Sequence, residues 1–117
     1  MIGPLELETH AELLVARLGG EVDISHVPVM RDRVFRALDN QGDGLLIDLS
    51  EATYIDSAVV NLLFELADRL GTHQLRLAVV VPEGGLVDRV LGIVDLASVA
   101  DLHRDFHEAL GAFRAGS

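Results

Sequence analysis

Leu45-Leu46-Ile47-Asp48-Leu49 decides the fold class of this chain, because the run is almost continuously apolar over the length of one strand. Such a run predicts a strand covered on both faces, as in a parallel sheet, with Asp48 as its one carboxylate. A loop is expected from 50 to 56. Beyond it, an apolar stripe at helical spacing predicts a second element, an amphipathic helix that stops at Gly71. The stripe consists of Val59, Leu62, Leu63, Leu66 and Leu70.

The segments before this unit predict a hairpin and a helix. Short strand patterns occur at 5–8 and 13–18, and the Gly19-Gly20 pair is expected to end the second strand. From Ser25 to Asn40, apolar residues follow one another at steps of three and four, which predicts a helix with Ser25 as its N-cap. A glycine-containing turn at 41–44 is expected to stop this helix.

The segments after the unit repeat the alternation of strand and helix. Strands are predicted at 75–81 and 98–102, with a short helix at 86–91 between them. A last helix is expected from Asp105, because Asp105 and Glu108 have the spacing of a capping box.

The order of these elements predicts an α/β fold in a single domain, residues 1–117, with an ordered core at about 5–113. We expect a mainly parallel sheet of four to five strands, an antiparallel N-terminal pair and four helices. Functional loops of such sheets follow the carboxyl ends of the strands. Those loops are expected at 20–25, 50–57 and 82–86.

Composition excludes several classes of function. The 117 residues include 19 acidic and nine basic residues, all nine of them Arg, and the formal net charge is −10. This balance argues against nucleic acids and membrane surfaces as ligands, because such binding depends on clustered cations. Without Cys there is no thiolate nucleophile and no Cys-based zinc site. Neither a signal peptide nor an apolar run of about 20 residues is found, so a cytoplasmic protein is expected.

Metal-binding and hydrolytic interpretations find little support. His103 and His107 lie four residues apart with Glu108 adjacent, but the expected helix start at 105 keeps the two rings off one face. Ser57 and Asp56 could be combined with a histidine into a triad, yet no nucleophile-elbow motif accompanies them. We therefore expect no catalytic residue and no metal site.

Phosphate and cofactor chemistry is also disfavoured. The glycine pairs lack the motifs of phosphate-binding loops. Glu21 and Asp23 fit a solvated loop better than an acid and base pair. Asp48 invites comparison with receiver domains that are phosphorylated on aspartate, but that chemistry needs a Lys, and the chain has none. We expect a protein that is not an enzyme and that binds no cofactor.

Several short segments, in their order and spacing, resemble STAS domains, and among them the single-domain bacterial anti-sigma factor antagonists. Gly20-Glu21-Val22-Asp23, followed by the helix start at 28–31, is similar to the family's G-E-[LIV]-D segment and first helix. Leu46-Ile47-Asp48-Leu49-Ser50 and Tyr54-Ile55-Asp56-Ser57 are similar to its central strand and its phosphorylation loop. From the residues alone, Asp56 and Ser57 are also good helix N-caps. The resemblance extends over nearly the whole chain.

This resemblance implies partner switching. An unphosphorylated antagonist binds an anti-sigma factor that is also a serine kinase, and a sigma factor is released; phosphorylation reverses the binding, and a phosphatase restores it. Ser57 matches the phosphoacceptor. ATP and Mg²⁺ would belong to the kinase. The residues expected at the partner surface are Asp23, Ile24, Ser25, Asp56, Ala58 and Val59.

Two departures from the family pattern keep other functions open. Ala58 and Val59 stand where the family has a second hydroxyl and a glycine, so Ser57 is the sole acceptor, and the β-branched Val59 is expected to hinder a kinase. Val94-Asp95-Leu96 replaces the family's T-G-L. The alternatives are a divergent or unphosphorylated STAS scaffold in a signalling complex, and a small enzyme or nucleotide-binding domain that uses the acidic loops.

Overall fold

A computed structural model describes residues 5–10, 12–40 and 44–116. Its strands are β1 (Leu5–His10), β2 (Leu13–Val22), β3 (Leu45–Ile55), β4 (Leu77–Val80) and β5 (Ala100–His103). Its helices are α1 (Val27–Asn40), α2 (Ser57–Gly71), α3 (Leu86–Ile93) and α4 (Phe106–Gly116). Two short 3-10 helices, Ile24–His26 and Leu96–Ser98, precede α1 and β5.

The five strands form one sheet in the order β1-β2-β3-β4-β5. The β1 and β2 strands are antiparallel, and the remaining neighbours are parallel. The predicted α/β class, the antiparallel N-terminal pair and the four helices are therefore confirmed. Residues 45–49 of the central β3 are apolar apart from Asp48, because helices cover both faces of this strand.

The two faces of the sheet are covered unequally. The larger core lies under α1, α2 and α3 and contains Met30, Leu63 and Leu91. The smaller core lies under α4 and contains Leu46 and Leu110. Since side chains alternate along a strand, each buried strand contributes to both cores.

The smaller core also contains a buried carboxylate. Asp48 is only 6% exposed. It accepts hydrogen bonds from Arg17 Nε at 3.2 Å and from the Ser50 N–H at 2.9 Å. Arg17 also pairs with Glu8 and stacks on the Phe106 ring of α4. An unpaired buried carboxylate would be strongly destabilising, so Asp48 acts here as a structural partner of Arg17.

The ends of β2 and β3 correct the sequence predictions. The Gly19-Gly20 pair does not end β2, and residues 50–55 of the loop expected at 50–56 are instead the second half of β3. The two extensions pair with each other, for example Gly19 with Glu51 and Val22 with Ile55. Register shifts interrupt this pairing on both sides of Gly20, whose φ is +73°. These irregularities let β2 continue through a glycine pair that resembles a turn.

Smaller corrections concern helix and strand ends. Ser25 is not a helix N-cap, since it lies within the first 3-10 helix, whose N-cap is Asp23. The α2 helix ends at Gly71 as predicted, but the left-handed residue after it is Gln74, with φ of +61°. The β4 strand is shorter than predicted, and β5 starts at Ala100, two residues later than expected. Of the turn expected at 41–44, residues 41–43 lie outside the described part of the chain.

Candidate functional site

The site forms where β2 and β3 end side by side. Val22 and Ile55, the last residues of these strands, are paired in the parallel register. Each is followed by an aspartate, Asp23 or Asp56, that is the N-cap of the next helix. The parallel pairing therefore brings two helix N-termini to one edge of the sheet, where such sheets carry functional residues.

Asp56 connects the two N-termini. Its Oδ1 accepts a hydrogen bond from the Val59 N–H at 3.1 Å, which caps α2. Its Oδ2 accepts from the Ile24 N–H of the neighbouring 3-10 helix at 2.9 Å. One carboxylate thus satisfies a backbone donor on each side and fixes the position of Ile24 relative to the start of α2.

Asp23 organises the 3-10 helix itself. Its Oδ1 accepts from the Ser25 N–H at 2.9 Å and from the Ser25 hydroxyl at 2.5 Å. The Asp23 N–H donates to His26 Nδ1 at 3.2 Å. The hydrogen bonds from the Ser25 hydroxyl and N–H hold the pKa of the Asp23 carboxyl below its ordinary value. The Ser25 hydroxyl is therefore already engaged as a donor.

Ser57 is the first residue of α2, and it is exposed. Two residues of this region carry exposed apolar side chains. Ile24 is 67% exposed, and Tyr54, three residues before Ser57, is 42% exposed. Ala58 is partly exposed. The first N–H groups of a helix lack intrahelical acceptors and favour negative charge. The arrangement offers an accessible hydroxyl beside backbone donors and an apolar contact surface.

The structure brings together all the predicted site residues except one. Asp23, Ile24, Ser25, Asp56 and Ala58 lie with Ser57 at the edge where β2 and β3 end.

Val59 is the exception, because it is fully buried at 0% exposure and belongs to the larger core. Its side chain therefore cannot contribute to a contact surface. Tyr54 is not among the site residues that the sequence predicted. Side chains alternate between the two faces of a strand, so the residue next to the apolar Ile55 could have been expected to be exposed.

The histidines form no comparable site. His103 contacts Glu108, with Nδ1 and Oε1 3.3 Å apart, at the start of α4. Asp105 caps that helix by accepting from the Glu108 N–H at 2.8 Å, as predicted, while the Glu108 carboxylate accepts from the N–H of Arg104. Within residues 5–10, 12–40 and 44–116, no three His, Asp or Glu side chains are grouped as metal ligands. No helix in these ranges is long and apolar enough to span a bilayer.

Comparisons with known proteins show which family the sequence matches. A protein-family model described as STAS domain matches residues 4–109. The anti-sigma-F factor antagonist RsfB of Mycobacterium tuberculosis is 23% identical over 107 residues, which cover 92% of this chain and 86% of that protein.

Solved structures share the fold. An anti-sigma factor antagonist from Mycobacterium paratuberculosis gives a TM-score of 0.80 at 22% identity, covering 94% of this chain and 92% of the other. Unphosphorylated SpoIIAA gives 0.76 at 19% identity, with 97% and 99% covered. SpoIIAA in its phosphorylated form, described as a Bacillus cell fate determinant, gives 0.69 at 20% identity, with 92% and 97% covered.

Proposed function

Since this chain belongs to the STAS domain family, we propose that it is a cytoplasmic anti-sigma factor antagonist, which binds an anti-sigma factor and so releases a sigma factor. The names of its relatives support this function: RsfB is an anti-sigma-F factor antagonist, and the Mycobacterium paratuberculosis protein is an anti-sigma factor antagonist. In this proposal the chain is a regulatory protein and has no catalytic activity of its own.

The exposed hydroxyl of Ser57 at the start of α2 carries the proposal. We infer that an anti-sigma factor with serine kinase activity phosphorylates it. The Ser57 oxygen attacks the γ-phosphorus of ATP, the bond between the β,γ-bridging oxygen and that phosphorus breaks, ADP leaves, and the hydroxyl proton passes to a base of the kinase. ATP and Mg²⁺ are held by the kinase. A phosphatase hydrolyses the ester and restores the serine.

Phosphorylation would change the charge of the partner surface. A phosphoserine adds about −1.5 to −2 charges at neutral pH. The new group would stand beside the Asp56 carboxylate, which already caps α2, and close to the exposed Ile24 side chain that we assign to the partner contact. Repulsion of an acidic or apolar partner surface would follow. The proposed contact residues are Asp23, Ile24, Ser25, Tyr54, Asp56 and Ala58.

Intact-mass spectrometry tests the acceptor. The protein is incubated with Mg-ATP and each serine-kinase anti-sigma factor of its own cell, and we expect one phosphate on the wild type and none on Ser57→Ala. Ser98→Ala is the matched control, because Ser98 is an exposed serine outside the proposed contact residues, and it should still gain the phosphate. A phosphate that remains on Ser57→Ala would show that another residue is the acceptor.

Binding to the same anti-sigma factor tests the switch. Ser57→Asp should weaken the affinity more than tenfold, which corresponds to about 1.4 kcal/mol, whereas Ser57→Ala should bind as the wild type does. Equal affinities for Ser57→Asp and the wild type would contradict the phosphoswitch. Absence of phosphate on the wild type with every such kinase, together with normal binding, would indicate a constitutive antagonist.

A further inference from the structure

His26 lies beside the proposed partner contacts. It is the last residue of the 3-10 helix between β2 and α1, and its side chain is 31% exposed. The proposed function uses the neighbouring Asp23, Ile24 and Ser25 and leaves the imidazole without a role. An imidazole ordinarily changes its charge between pH 5 and 8, so its contacts here decide what a proton would do to this surface.

The hydrogen bond that His26 accepts requires a neutral ring. The Asp23 N–H donates to His26 Nδ1 at 3.2 Å. A nitrogen that accepts carries no proton of its own, so the ring proton is on Nε2. Glu or Gln ordinarily fills this position of a capping box and accepts the same N–H. An imidazole differs from them, because both of its nitrogens become donors when it is protonated.

A protonated ring would find a different partner in the same residue. Asp23 Oδ1 lies 3.4 Å from His26 Nδ1, and it already accepts from the Ser25 N–H and hydroxyl. Protonation would change Nδ1 from an acceptor of the Asp23 N–H into a donor to the Asp23 carboxylate. The N–H would lose its acceptor, and the oxygen that holds Ser25 would be shared. The two charge states of the ring therefore favour different arrangements of residues 23–26.

Asp23 is the carboxylate that decides this exchange, because the charged groups on the neighbouring elements have partners of their own. The α1 and α2 helices pack against the 3-10 helix. Their nearest charged groups and the partners of those groups are Arg31 with Glu65, Asp32 with Arg36, Arg33 with the Leu5 carbonyl, and Asp56 with the Ile24 and Val59 N–H groups. Glu21, at the end of β2, is exposed to water, which screens its charge.

The 3-10 helix sets the position of the exposed Ile24 side chain. Asp56 holds the Ile24 N–H, and His26 closes the helix around it. The His26 N–H donates to the Asp23 carbonyl at 3.0 Å, while the ring accepts from the Asp23 N–H. Protonation of the ring removes the second of these bonds. Ile24 is then held less firmly, and a partner that binds it has to order it.

We propose that His26 is a positioning residue of the partner surface, whose neutral ring holds the 3-10 helix in the form that binds the anti-sigma factor. This role rests on the proposed function. Because the complex favours the neutral ring, binding and protonation of His26 oppose each other. The affinity is therefore highest at the alkaline end of the range in which an imidazole titrates, and it falls as the pH falls.

The affinity for the anti-sigma factor, measured from pH 8 to pH 5, tests this role. The wild type should bind about threefold more weakly, or less tightly still, at the acid end. His26→Gln should match the wild type at pH 8 and lose this part of the pH dependence, because a Gln amide accepts the Asp23 N–H at every pH. His73→Gln is the matched control, since His73 is an exposed histidine at the opposite end of α2 from Ser57, and it should keep the wild-type profile. Identical profiles for the wild type and His26→Gln would overturn the proposal.

NMR of the chain without a partner separates this proposal from the proposed function. At pH 8 we expect an unprotonated His26 Nδ1 and a scalar coupling across its hydrogen bond with the Asp23 N–H, and both should disappear as the ring is protonated. A proton on Nδ1 at pH 8 would overturn the proposal. So would the expected NMR result combined with binding that does not depend on His26. A chain that binds no anti-sigma factor at any pH would instead overturn the proposed function, and the role of His26 in binding with it.

Discussion

Asp56 has a double role at the scale of single residues. It caps α2 through Val59 and holds the Ile24 N–H of the neighbouring 3-10 helix. An N-cap aspartate alone stabilises a protein by about 1 kcal/mol, and loss of the second hydrogen bond leaves Ile24 without its acceptor.

We expect Asp56→Ala to lower the free energy of unfolding by about 1–2 kcal/mol and to speed hydrogen exchange at the Ile24 amide. Urea denaturation and amide exchange by NMR measure the two effects. Asp68→Ala is the control, because Asp68 is an exposed aspartate of the same helix with no side-chain hydrogen bond described. Similar losses in both variants would show that Asp56 is not the connection between the two N-termini.

At the scale of elements, the extensions of β2 and β3 carry the site beyond the point where β4 ends. The β4 strand pairs with β3 only as far as Asp48, whereas β2 pairs with it up to Ile55. Asp23 and Asp56 therefore follow a two-stranded extension that depends on the irregular backbone at Gly20. The left-handed conformation of this residue disfavours any side chain.

We expect Gly20→Ala to cost about 1–2 kcal/mol of stability, because its φ is +73° and only the backbone conformation opposes a Cβ there. Gly111→Ala is the matched control in α4, where a Cβ also meets no other atom within 4 Å. In a helix this change should stabilise by about 0.5–1 kcal/mol. Thermal unfolding of both variants measures the contrast, and stabilisation by Gly20→Ala would show that the irregular backbone there does not need a glycine.

At the scale of the whole molecule, stability should fall in acid. In the part of the chain that the structure describes, three carboxyl groups have pKa values below their ordinary ones: Asp23 through the Ser25 hydroxyl, Glu65 through Arg31, and Asp88 through the Gly84 N–H. A lowered pKa in the folded state means that the unfolded chain binds more protons. Such groups contribute stability above their ordinary pKa and lose the contribution as the pH falls through the lower, folded value.

Glu65→Gln isolates one of these contributions. Glu65 joins α2 to α1 through Arg31, whose Nε lies 3.0 Å from Oε2. We expect the variant to have a lower melting temperature than the wild type at neutral pH, and the difference to shrink below the ordinary Glu pKa of 4.5. Because both side chains are partly exposed, added salt should also reduce it. Asp68→Asn is the control, and a difference that stays constant with pH would contradict an electrostatic origin.

Local sequence patterns were sufficient to predict the kinds of elements, their order and several of their ends. Periods of two and of three to four in the apolar residues are local properties of strands and helices, so β3, α2 and the antiparallel start could be predicted. Asp105 as an N-cap was predictable for the same reason, because a cap acts within one helical turn. Ser57 was found through short segments whose order resembles a known family.

Contacts between residues distant in sequence follow from the packing of the folded chain. The second half of β3 is a strand because β2 pairs with it, and the register of that pairing places Asp23 beside Asp56. Asp48 is a partner of Arg17, which stands 31 residues earlier. Val59, by contrast, belongs to the apolar stripe that its helical spacing already indicates, and it is buried in the larger core. Strands β2 and β3 are joined by a helix and not by a tight turn, so the residues that meet across them depend on packing of the whole chain.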